Sequence, residues 1–241
     1  AVNLSALLGA MGQRVLMIDL DPQGNTTSGL GMEVDDKSIY EVIMGRMKLT
    51  DVMEETEFKN LSIAGSDVRL ANAELELVEV EKREYRLKTA VQSVRQDFDF
   101  IFIDCPPSLG LLTINALGAA DSVLIPIQCE YYALEGVASL MNTISRVKKT
   151  INPHLEIEGV LLTMLDGRTN LGLQVVDEVK KHFKKQVYAT VIPRSVRLGE
   201  APSHGEPIHV YDKRSAGCVA YVNLAKEVLK RNNIKVKEFK L

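Results

Sequence analysis

Arg14-Val15-Leu16-Met17-Ile18-Asp19-Leu20-Asp21-Pro22 holds an unbroken apolar run, Val15 to Ile18, and ends in two carboxylates and a proline. Four successive apolar residues without polar alternation predict a strand buried on both faces, as in a parallel sheet between helical layers. Pro22 removes a ladder donor and stops the strand. Asp19 and Asp21 are two positions apart, so an extended backbone through both would turn them to the same side. The design recurs in Phe100-Ile101-Phe102-Ile103-Asp104-Cys105-Pro106-Pro107.

Outward from these two stretches, short apolar runs alternate with helical patterning. Leu61-Ser62-Ile63-Ala64, Val123-Leu124-Ile125, Val160-Leu161-Leu162 and residues 187–192 read as further strands. Segments 70–95, 133–149, 172–184 and 216–231 carry a helical period. The expectation is one α/β domain over residues 1–241, a three-layer fold with a mostly parallel sheet and helices on both faces. Ser38-Ile39-Tyr40-Glu41 has the spacing of a capping box. Residues 2–11 read as a helix feeding the strand that begins near Arg14. Such a helix normally returns from an earlier parallel strand, so the sequence is expected to start inside a longer protein.

Composition excludes several classes. With 46% apolar and 25% charged residues in 241, the chain is neither disordered, collagenous nor a coiled coil. No apolar run approaches the ~18 residues of a membrane helix. Cys105, Cys129 and Cys218 form no CxxC pair, which argues against a disulfide framework or zinc site. His154, His182, His204 and His209 show no metal-ligand spacing. The net charge of −3 conceals an asymmetry: residues 1–140 carry 22 Asp/Glu against 11 Lys/Arg, and residues 141–241 carry 18 Lys/Arg against 10 Asp/Glu. The basic half invites a polyanion, although solvated helix faces explain the count equally well.

In open α/β sheets ligands sit beyond the carboxyl ends of the strands, where Asp19, Asp21 and Asp104 would converge. Such a cluster needs a compensating cation or hydrogen bonds, and Mg²⁺ with a phosphate ligand suits it. Taken singly, either strand-end Asp is equally a helix cap or turn former. None of the 16 glycines is followed by Lys, so G-x-x-x-x-G-K-[ST] is absent from these residues. Gly24 and Gly29 have the spacing, but Leu30 stands where Lys is required.

Residues 14–25, with Asp19-Leu20-Asp21-Pro22-Gln23-Gly24-Asn25, resemble the ParA/Soj-type partition ATPases of the deviant Walker A class. So do Asp104-Cys105-Pro106-Pro107-Ser108-Leu109-Gly110 with Asn115-Ala116-Leu117, and residues 192–203 from Ile192-Pro193-Arg194-Ser195 onward. Pro126-Ile127-Gln128-Cys129-Glu130-Tyr131-Tyr132-Ala133-Leu134-Glu135-Gly136 is similar to the chromosomal members. The resemblance implies a P-loop ATPase using ATP and Mg²⁺, whose first strand and Lys-Gly-Gly-Val-Gly-Lys-Thr-Thr loop belong just upstream of Ala1. It implies that Asp21 positions and polarises the attacking water, with Asp19 supporting it and the Mg²⁺ shell. Asp104 would hold Mg²⁺ through a coordinated water, and Pro193 and Arg194 would line the adenine.

The same resemblance implies an ATP-dependent homodimer, cytoplasmic and nucleoid-associated, reset when a ParB-type centromere-binding protein stimulates hydrolysis. Arg168 and Arg197 match positions used there for sequence-independent DNA binding, which needs charge without base readout. Lys180, Lys181, Lys184 and Lys185 would widen that patch or form a solvated face. The alternatives are a membrane-associated positioning ATPase of the MinD class and a fragment inactive without the loop. The tail from Lys226 carries six Lys/Arg against two Glu, and Ile234, Val236, Phe239 and Leu241 are too short and irregular an apolar set for stable membrane association. Cys105 and Cys129 also suggest cluster ligands of the nitrogenase-iron-protein relatives, but their flanks match ParA instead.

Overall fold

The computed structural model describes residues 1–130, 133–236 and Phe239. Tyr131 and Tyr132 of the fourth motif and Leu241 of the tail lie outside the described residues. The first half runs α1 (Val2–Ala10), β1 (Val15–Asp19), α2 (Asn25–Ser28), α3 (Ile39–Ile43), β2 (Met53–Glu55), β3 (Leu61–Ala64), α4 (Leu70–Glu76), α5 (Arg86–Gln92) and β4 (Phe100–Asp104). The second runs α6 (Leu111–Ala119), β5 (Ser122–Gln128), α7 (Ala133–Thr150), β6 (Glu156–Leu165), α8 (Asn170–Phe183), β7 (Val187–Pro193), α9 (Val196–Glu200), α10 (Ile208–Tyr211) and α11 (Ala216–Arg231).

β1 is central because every residue in it is apolar until Asp19, and all five are buried. It pairs in parallel with β3 on one side and β4 on the other, and Asp19 stands opposite Asp104. Val15 and Met17 pack with Leu4 and Leu7 of α1 and Leu224 and Val228 of α11. Leu16 and Ile18 face the opposite layer, with Ile39, Ile43, Leu87 and Leu112. One strand thus feeds two cores, as an alternating pleat between helical layers must. A third core joins β5 and β6 to α7 and α8 through Ile127, Val160, Ile144 and Val179.

Among the described residues the ladder falls into two sheets, β2-β3-β1-β4 and β5-β6-β7, rather than one. Both are parallel except for β2, an antiparallel edge on β3. Met53-Glu54-Glu55 has no apolar run, so its pattern gave no strand signal. The helical segment expected over 70–95 is divided into α4 and α5, and Lys82 between them adopts a left-handed φ of 54°. Of the capping box at Ser38, only half forms. Ser38 Oγ accepts the Tyr40 amide at 3.2 Å, whereas Glu41 turns to the Arg69 guanidinium at 3.1 Å.

The free edge of β7 is closed by side chains of α11. The Glu227 carboxylate accepts the amides of Ala189 at 2.8 Å and Thr190 at 2.9 Å. Arg231 donates to the Val187 carbonyl at 2.9 Å and lies over the Tyr188 ring at 3.8 Å. Burial alone would raise the Glu227 pKa, but the two amides and Arg231 outweigh it and hold it below its ordinary value. Glu227→Gln is expected to cost about 1–3 kcal/mol at neutral pH. A depressed carboxylate pKa stabilises the fold fully above the unfolded-state value and loses that contribution as pH falls through the folded-state value. Denaturation midpoints of parent and variant should therefore converge in the acid range. A gap constant with pH would show that ionisation of Glu227 plays no part.

Candidate functional site

β1 and β4 end side by side and deliver Asp19 and Asp104 to neighbouring positions of the sheet's carboxyl edge. Asp21 is not on the strand. β1 ends at Asp19, and the Asp21 amide folds back to Asp19 Oδ1 at 3.2 Å, so turn geometry rather than strand periodicity places Asp21. Asp21 Oδ1 then accepts the Gln23 amide at 2.9 Å, and Gly24 takes a left-handed φ of 63° to start α2.

Asp19 is fully buried and three donors meet it: the Asp21 amide, the Thr27 amide at 2.8 Å and the Thr27 hydroxyl at 2.7 Å. Its pKa is raised chiefly by burial, with the Thr27 and Asp21 donors opposing and the Asp104 charge adding. With donors on both oxygens, Asp19 anchors the Asp21 turn and the start of α2. Asp104 accepts the Thr26 hydroxyl on Oδ2 at 2.6 Å. Burial first, then the charges of Asp104 and Asp21, pushes the Cys105 thiol up to about 12, so it stays neutral. Burial also raises Cys129.

Among the described residues no three His, Cys, Asp or Glu side chains converge as a metal cage. The site instead offers Asp104, with Asp21 close by. This donor set fits a hard cation such as Mg²⁺, which keeps water and phosphate ligands around one or two carboxylates.

Pro193 ends β7 in the other sheet, and Arg194 follows it. The Arg194 amide donates to the Leu165 carbonyl at 3.0 Å, and its guanidinium meets Glu130 at 2.5 Å. Arg168 follows β6 and grips Asp166 with two nitrogens, at 2.9 and 2.7 Å. Those hydrogen bonds and charges hold the Asp166 carboxyl well below the ordinary carboxylate range. Arg197 lies in α9 between Glu200 at 2.9 Å and Asp212 at 3.4 Å. β6 and β7 are parallel neighbours with Leu165 opposite Pro193, so Arg168 and Arg194 share one edge and Arg197 follows three residues on. Lys180, Lys181, Lys184 and Lys185 do not widen that edge. Lys180 and Lys181 lie in the last turn of α8 and Lys184 and Lys185 just past it, so the helix, roughly 20 Å long at 1.5 Å rise per residue, separates them from Arg168.

Sequence reading missed the partners: Thr26 and Thr27 beneath the carboxylates, and Asp166, Glu200 and Asp212 facing the arginines. Two adjacent threonines in Gly24-Asn25-Thr26-Thr27 were the available signal. It also missed the seat between the α2 loop and the segment after α9. Gly31 and Gly205 both have left-handed φ, 68° and 66°, and a Cβ on Gly205 would stand 2.7 Å from Gly31 Cα.

Comparison with known proteins places these features. Residues 1–157 match the AAA_31 family model, described as an AAA domain. The chain is 57% identical over 230 residues to the sporulation initiation inhibitor protein Soj of Bacillus subtilis, covering 95% of this chain and 91% of that one. It is 49% identical over 237 residues to the chromosome partitioning protein ParA of Myxococcus xanthus, covering 98% and 84%. A solved cobyrinic acid a,c-diamide synthase of Mycobacterium smegmatis, with bound ATP analogue and magnesium, superposes at TM-score 0.84 and 36% identity over 95% of this chain and 87% of that one. The strand-end carboxylates, the turn at Asp21 and this degree of identity along the length of Soj agree: the chain belongs to the ParA/Soj family of P-loop chromosome-partitioning proteins.

Proposed function

We propose that this chain is an ATP-driven partitioning switch: with Mg-ATP it pairs with a second copy, binds nucleoid DNA without sequence preference, and is reset by hydrolysis. The observation that carries the reading is the Asp21 turn, locked onto the buried Asp19 beside Asp104 at the end of the central strands. The solved relative with ATP analogue and magnesium supports the ligand, and the names Soj and ParA support the process. Phosphoryl transfer is mostly positioning and charge stabilisation. In this reading Asp21 orients the attacking water and Asp104 holds the water shell of Mg²⁺, which when bound neutralises charge on the phosphates. Pro193 and Arg194 flank the adenine. The phosphate loop is the one the resemblance sets upstream of Ala1, and a ParB-type centromere-binding protein supplies the stimulus.

Arg168 and Arg197 are the DNA contacts in this reading. Ile234, Val236 and Phe239 pack against the core, and no described helix is long and apolar enough to cross a membrane. Three of the four apolar side chains of the tail are thus engaged with the core, which favours DNA over lipid.

The test is ATP-dependent DNA binding followed against salt. Arg168→Ala should weaken binding to all sequences alike and flatten the log–log salt slope by about 1. Asp166→Asn frees the Arg168 fork and should tighten binding several-fold, with a steeper slope by roughly 0.9 per phosphate gained. Binding indifferent to both changes, or binding to anionic liposomes in place of DNA, would remove the DNA assignment.

A further inference from the structure

α2 is only four residues long, and its two threonines point inward, each 4% exposed. Thr27 Oγ1 receives the Ser66 amide at 3.0 Å and donates to Asp19 Oδ2 at 2.7 Å. That oxygen already accepts from Ser66, and the hydroxyl's own proton is directed at Asp19. Thr26 Oγ1 donates to Asp104 Oδ2 at 2.6 Å, a short bond of the kind charged acceptors make. Two consecutive hydroxyls therefore serve two carboxylates that stand opposite each other on adjacent strands. Asp104 Oδ1 has no protein donor among the described residues.

The geometry points to Thr26 as a positioning residue for Asp104. By occupying Oδ2 it fixes the rotation of the carboxylate and reserves Oδ1 for the water shell of a divalent cation. It does this from α2, the element that Asp21 and Gly24 launch, so the metal-facing carboxylate and the water-facing Asp21 are set by one short piece of backbone. Without the hydroxyl, Asp104 Oδ2 would lose the donor that sets its rotation. This inference rests on the ATPase reading above, and deepens it by naming what holds its metal-binding group.

Partners of metal-binding carboxylates typically contribute 10–100-fold to metal affinity when removed. The test uses Mn²⁺ in place of Mg²⁺, with its binding to the full-length protein in the presence of ATP followed by electron paramagnetic resonance. Thr26→Val keeps the shape and removes the donor, and should weaken Mn²⁺ at least about tenfold while ATP affinity in EDTA stays unchanged. Thr26→Ser keeps the donor and should recover Mn²⁺ affinity to within about twofold of the parent. If Thr26→Val does not melt cooperatively, Thr26→Ala replaces it with the same expected loss. Mn²⁺ bound equally well by parent and donor-less variant overturns the proposal, as does a Thr26→Ser variant as weak as Thr26→Val. A parent that binds no Mn²⁺ with ATP instead overturns the ATPase reading itself.

Discussion

Replacing Asp21 by Ala is expected to lower ATP turnover by about 10²–10³-fold, the range seen when one preorganised charge-stabilising group is lost. The fold should survive. Asp21's backbone, not its carboxylate, is what Asp19 holds, and among the described residues its side chain accepts only the Gln23 amide. ATP binding, dimerisation and DNA binding should therefore persist, leaving a protein trapped in its nucleotide-bound form. Single-turnover hydrolysis and light scattering with ATP check this in the protein carrying its phosphate loop. A variant that hydrolyses at the parental rate would show that Asp21 has no role in the chemical step. One that no longer pairs with ATP would make Asp21 a binding residue rather than a catalytic one.

The second large effect is on stability. Gly205→Val sets a β-branched side chain at a φ of 66°, where its Cβ would stand 2.7 Å from Gly31 Cα and 3.0 Å from Gly31 N. Both neighbours are backbone, so no side chain can swing aside. The left-handed conformation costs roughly 1–2 kcal/mol for an L-residue and overpacking roughly 1–3 more. At roughly 2–4 °C per kcal/mol for a chain of this length, the melting temperature should fall by about 5–15 °C. Gly199→Ala is the control, since open space surrounds that position within 4 Å and it lies in α9. Calorimetry that finds the two variants equally stable would mean that the Gly31–Gly205 seat opens without cost.

Much of this architecture is legible in the sequence because burial writes itself into composition. β1 and β4 are strands with no polar residue before their terminal Asp, and α11 spans the residues whose period announced it. What stayed hidden were features set by tertiary partners. β2 owes its existence to pairing with β3, not to its own Met-Glu-Glu composition. Glu41 left its capping box for Arg69, a residue 28 positions away. The carboxylates of the site could be located from their strands, but the side Asp21 faces could not, because a turn replaced the pleat. The basic residues posed the same difficulty. Charge counting finds Arg168 and Arg197, yet only coordinates reveal that each is already partnered by a carboxylate.

The clasp of α11 on β7 has a consequence for how the molecule behaves in a crowd. An exposed strand edge is a template on which foreign chains can add and fibrils can grow. Here Glu227 consumes two of the edge amides and Arg231 a carbonyl. At the outer margin of the other sheet, β2 is only three residues long and two of them are glutamates. The β7 and β2 margins are thus poor templates. Acid conditions that protonate Glu227 would release amide donors at the β7 margin as well as lowering stability, so turbidity is expected on acidification and should come earlier than stability loss alone predicts.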